Sequence, residues 1–95
     1  MDEENEEDNG LYDVIFFWDN TKNDIEYKQY CSETLCNILG YNAPLSVKII
    51  YEAAEKGKAL VQSTRNLDKA AETRNTLIAL GMMCHILPCE LAKRN

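Results

Sequence analysis

The stretch VIFFWDN, residues 14–20, is a run of large apolar side chains that stops at a carboxylate and an amide. Aromatic and β-branched residues in such a run favour a strand, here over residues 11–18. Its near-continuous apolarity predicts that both faces are at least partly covered. Asp19 and Asn20 have two readings. They end the strand through Asx-turn chemistry, or they stand at the lip of a site that grips a ligand.

Working outward, TKND at residues 21–24 is turn chemistry. In IEYKQYCSETLCNILGY, Tyr27, Tyr30, Cys31, Thr34, Leu35, Ile38 and Leu39 recur at helical spacing. Gly40 is placed to cap that helix. Asn42 and Pro44 restart a helix, with Val47, Ile50, Tyr51 and Ala54 as its expected inner stripe and Gly57 as its end. KALVQ, residues 58–62, reads as a short strand and STRN as a loop, with Asn66 as the next N-cap. Leu67, Ala70, Ala71, Leu77 and Ile78 mark a third helix, closed by Gly81. Arg74 falls near the same apolar line, which is unusual for a core position. Residues 82–87 form the last expected strand, and Pro88 limits its pairing. The order β-α-α-β-α-β predicts an α+β sandwich, a three-stranded antiparallel sheet with three helices on one face.

The chain has 95 residues, enough for one small domain. Its acidic opening, MDEENEEDNG, carries six acids and no bases, and the formal net charge of the whole is −6. The remainder is therefore near neutral, which argues against nucleic acid as a partner. Such an opening cannot bury enough surface to offset its ordering entropy, so residues 1–10 are expected to be a disordered tail. The folding unit is then residues 11–92, followed by a short tail at 93–95. No signal-peptide pattern and no membrane-length apolar run is present.

Four cysteines, Cys31, Cys36, Cys84 and Cys89, are spaced C-x4-C in each pair. That spacing turns partners to different faces of a helix or strand. With His85 as the lone imidazole, a zinc site is disfavoured, and reduced thiols packed as small hydrophobes are expected. No Gly-rich phosphate loop, no nucleophile elbow and no H-E-x-x-H occurs. Glu52 and Glu55 read as a solvated face. The expectation is a protein that is not an enzyme and needs no cofactor.

Three phrases in order, VIFFWDN, EKGKALV and KAAETR, resemble the family of the Clp protease adaptor ClpS over about residues 12–91. The resemblance implies the same β-α-α-β-α-β fold. It also implies a monomeric adaptor that docks on the N-terminal domain of a Clp-type AAA+ ATPase. Such an adaptor presents substrate proteins whose N-termini are large and apolar, the N-degron. A bacterial cytoplasm, or an organellar stroma in a eukaryote, follows from the same resemblance. The family's Asn-Asp-Asp at the strand end falls on Trp18, Asp19 and Asn20, and its pocket histidine falls on Ala54. Ile50 and Ala53 lie where the second helix lines the family's pocket. The lip loop, residues 21–27, is longer here. On the Clp-facing surface, Ala71, Glu72, Thr73 and Arg74 match the family, with Lys69 beside them. An α-ammonium has three donors and wants several acceptors, yet Trp18 and Ala54 offer none. The resemblance with these departures implies altered or weakened N-degron recognition. A translation-associated module of the ribosomal stalk C-terminal-domain type is the alternative.

Overall fold

Three short polar side chains set where the helices begin. Asp24, Asn42 and Asn66 each hold an extended backbone, and each side-chain oxygen accepts from the N–H three residues on. The donors are Tyr27 at 3.2 Å, Leu45 at 2.9 Å and Lys69 at 3.1 Å. Each such cap contributes about 1 kcal/mol to its helix. In the computed structural model, which describes residues 11–22 and 24–88, they open α1 (Ile25–Leu39), α2 (Ala43–Lys56) and α3 (Leu67–Ala79). The strands are β1 (Tyr12–Phe17), β2 (Lys58–Thr64) and β3 (Cys84–Pro88). The expected tails at 1–10 and 93–95 lie outside the described residues.

Gly57 ends α2 at φ 93° and is followed at once by β2, so one left-handed residue turns the chain from helix to strand. The end of α3 is a Schellman motif. Gly81 at φ 95° donates to the Ile78 carbonyl, and Met82 donates to that of Leu77. The sequence placed the end of this helix at Gly81, and the motif is what makes glycine fit there.

The sheet is antiparallel with the order β2-β1-β3. β1 pairs from Tyr12↔Thr64 to Phe17↔Lys58 on one side and from Tyr12↔Pro88 to Phe16↔Cys84 on the other. A bulge between Val14 and Ile15 skips Val61 of β2. The Tyr41 hydroxyl donates to that residue's carbonyl at 2.5 Å. Pro88 sits at the end of an edge strand, where a missing N–H is tolerated.

One face of the sheet is dry. Val14, Phe16 and Trp18 point inward with Ala59, Val61 and Cys84, against Cys31 and Leu35 of α1, Ile49, Ile50 and Ala53 of α2, and Ala70 and Leu77 of α3. Met82 is also fully buried there. On the other face Ile15 and Phe17 are only half-buried, and Leu60 and Leu87 are exposed.

The helices are rotated from the expected stripes. On α2 the inner residues are Ser46, Ile49, Ile50 and Ala53, while Val47 and Tyr51 face outward. On α3 they are Ala70, Thr73 and Leu77, with Leu67 and Ile78 exposed. Tyr30 and Ile38 of α1 are exposed too. A small sheet covers only a narrow arc of each helix, so apolar residues flanking that arc stay wet. Among the described residues no helix is long and apolar enough to cross a membrane.

Candidate functional site

The end of β1 is held from two sides. The Phe17 N–H donates to the Met83 carbonyl and the Trp18 N–H to the Gly57 carbonyl, both at 2.9 Å. This clamps Trp18 with its ring in the core, where it is 7% exposed. The indole meets Phe16 edge-on at 5.8 Å and the Tyr27 ring at 5.3 Å between centroids. Tyr27 in turn donates its hydroxyl to the Gly81 carbonyl, and neighbouring Tyr30 donates to that of Leu80. The first turn of α1 is thereby tied to the α3–β3 turn.

The next residue leaves the core. Asp19 is exposed, and its Oδ1 accepts from both the N–H and the hydroxyl of Thr21, at 3.0 and 2.7 Å. Those two bonds, with a smaller contribution from the Lys22 charge, lower its carboxyl below the ordinary 3.8. The Lys22 N–H closes the turn on the Asp19 carbonyl. Asp19 makes the Asx-type turn and also lines a pocket.

That pocket is a slot of about 220 Å³ lined by Phe17, Tyr27, Ile78, Gly81, Met82 and Met83, with Asp19 and Lys22 as its charged members. Of the candidates named from sequence, Asp19 alone lines it. Trp18, Ile50 and Ala53 lie in the core, Ala54 is half-buried beside it, and Asn20 is exposed next to Asp19. The sequence did not single out Lys22, Ile78, Met82 or Met83 as site residues. The Met82–Met83 doublet straight after Gly81 was the available signal, because adaptable thioether side chains are common at binding surfaces.

The docking candidates share α3. Lys69 and Glu72 are exposed, Thr73 is buried against the core, and Arg74 is half-buried with its Nε donating to Asn75 Oδ1 at 3.1 Å. A buried Thr73 explains how Ala-Glu-Thr-Arg serves one face for packing and its neighbours for solvent.

Two of the cysteine thiols are shielded. Burial raises the thiols of Cys31, to about 11, and of Cys84, to about 12. Cys36 is half-buried and donates to Ser46 Oγ at 3.3 Å, while Cys89 lies outside the described residues. His85 is exposed on β3 and stacks edge-on with Phe17 at 5.1 Å. Among the described residues no group of three His, Cys, Asp or Glu side chains is placed to hold a metal.

This element order and strand order define the ClpS-like α+β fold. The chain is similar to the solved structure of Agrobacterium tumefaciens ClpS2 bound to L-phenylalaninamide, with a TM-score of 0.72 and 19% identity. The likeness covers 83% of this chain and 96% of that one. At that identity it shows the fold. No family model and no curated protein matches the sequence.

Proposed function

We propose that this chain is a ClpS-like adaptor, not an enzyme, that docks on the N-terminal domain of a Clp-type AAA+ ATPase and directs or modulates substrate delivery for proteolysis. The observation that carries this is the likeness of fold over nearly the whole described domain, together with Ala71, Glu72, Thr73 and Arg74 on α3. A cytoplasmic or stromal setting follows from the same reading. Capture from the native cytosol on the immobilised protein tests it. Recovery of an AAA+ ATPase is the expected result. Recovery of ribosomal or elongation factors would replace it with the stalk-type reading.

N-degron recognition is altered in this proposal. Trp18, Ile50 and Ala53 are core residues, so a substrate's first side chain has no access to them. Trp18 and Ala54 also bring no side-chain acceptor for an α-ammonium. A hydrogen bond to a charged group contributes about 1.5–3 kcal/mol, so two missing acceptors weaken binding roughly a hundred- to several-thousand-fold. Calorimetric titration with a Leu-first peptide, beside its N-acetylated control, is expected to show little or no difference between them. A low-micromolar constant abolished by acetylation and by Asp19→Ala would restore full N-degron binding.

A further inference from the structure

The outer side of the α1–α2 hairpin carries a groove that neither ATPase docking nor the slot at Asp19 uses. Its volume is about 330 Å³, room for more than one large side chain. Ile25, Val47 and Tyr51 line it and stay wet, at 65%, 43% and 46% exposed. Ser32 and Cys36 also line it, and the end of β1 takes no part. Ile25, Gln29, Ser32 and Cys36 follow one helical repeat on α1. Tyr27 and Tyr30 reach the α3–β3 turn from the opposite flank of that helix, so the groove faces away from the turn.

Two charges stand at the rim, Lys28 and Glu33. Lys28 Nζ lies over the Tyr51 ring, 4.9 Å from its centroid, and so spans from α1 to α2. Glu33 accepts from Gln29 at 3.2 Å. Among the described residues neither has an ion-pair partner. At about 1.5 Å of rise per residue they are separated by roughly 7.5 Å along α1, with the cation toward its N-terminus.

The walls decide what form of chain fits. Both are helices, whose N–H and C=O groups are already bonded within the helix. An extended peptide laid between them finds no backbone partner, and its amides lose water without replacement. A helix brings its own backbone bonds and enters the groove with apolar side chains at i, i+3, i+4 and i+7. The rim charges set its direction. An acid facing Lys28 and a base facing Glu33 complement them, and an acid first with a base after it also suits the incoming helix's own dipole. That helix therefore runs parallel to α1.

We propose that the α1–α2 groove docks an amphipathic helix of a partner protein, with its apolar face on Ile25, Val47 and Tyr51, an acid on Lys28 and a base on Glu33. Only the partner's role rests on the adaptor reading. In an adaptor, this groove holds a substrate by an internal helix and needs no free N-terminus.

The probe is a synthetic peptide of about 15 residues, long enough to form a helix. It has leucines at i, i+3, i+4 and i+7, and one glutamate about a turn before one lysine at the edge of that face. A scrambled peptide of the same composition is the control. NMR titration of the whole chain, followed at the amides of Ser32, Cys36, Val47 and Tyr51, reads the site. The patterned peptide is expected to shift these amides at submillimolar concentration and to gain helical circular dichroism on binding. The scrambled one should bind roughly tenfold or more weakly. Exchanging the peptide's glutamate and lysine should weaken binding about three- to fivefold, the scale of an exposed ion pair. The double variant Lys28→Glu with Glu33→Lys should restore it. Val47→Glu should weaken the original pair roughly tenfold or more, with an unchanged circular-dichroism spectrum. If that variant loses its fold, Ile25→Glu makes the same test in the first turn, where an acid suits the helix. Equal binding of the scrambled peptide overturns the proposal, and so do shifts confined to the Asp19 slot or no shifts at all. A dimer seen by sedimentation and abolished by Val47→Glu gives the groove to a second copy and also overturns it. ATPase capture by the same preparation reads the adaptor proposal separately.

Discussion

Trp18 and Asp19 are neighbours with opposite fates. The strand's alternation sends the indole into the core and the carboxylate out. Replacing Trp18 with Ala should lower stability by about 3–5 kcal/mol, because a large buried ring leaves a cavity. Urea denaturation measures this, and a loss under 1 kcal/mol would return Trp18 to a ligand-lining role. Asp19 gives a pH signature. Its folded pKa is depressed by Thr21, so the stabilisation is present above the unfolded value and disappears as pH falls through the folded one. The window therefore lies below about pH 4. Thr21→Val removes the hydroxyl donor, and a carbon-13 titration of the Asp19 carboxyl should move up toward 3.8. An unmoved titration would show that the hydroxyl bond is not the main cause.

Element boundaries were more legible than element faces. Asn42 and Asn66 at helix starts, and Gly40, Gly57 and Gly81 near helix ends, act through local backbone chemistry that any window of sequence displays. Which side of a helix is buried depends on how much sheet lies beneath it. Val47 and Tyr51 sit on a helical stripe as good as that of Ile49 and Ala53, yet only the latter pair is covered. The same limit hid the slot, since Phe17, Tyr27, Ile78 and Met83 come from four parts of the chain and meet only through tertiary packing. Asp19 was visible because a lone acid after an apolar run stands out locally. Gly57 offers a test at this scale. Gly57→Ala meets no neighbour with its added methyl but must hold φ 93°, which costs about 1–2 kcal/mol. A thermal melt reads the loss, and an unchanged midpoint would mean that the cap relaxes. The shielded thiols supply another: Cys31 and Cys84 should resist alkylation in the native protein at pH 8, and Cys36 should react ahead of both. Mass-spectrometric mapping gives the order.

At the scale of the molecule, the dry sheet face and the three helices leave α3 with a charged outer surface. Arg74→Glu should weaken ATPase capture with an unchanged circular-dichroism spectrum, since its described bond is only to neighbouring Asn75. Unfolding of that variant would make Arg74 structural. The strand order β2-β1-β3 has a consequence in time. The first strand of the fold is the central one, and it receives its neighbours from residues 58–64 and then 84–88. During synthesis β1 therefore emerges with both hydrogen-bonding edges bare, and one stays open until almost the whole domain has been made. Such late, distant pairing slows folding and exposes unpaired strand edges and apolar side chains to other chains. A nascent chain stalled before residue 84 should remain protease-sensitive and bind chaperones. A chain extended past Pro88 should become resistant in a single step.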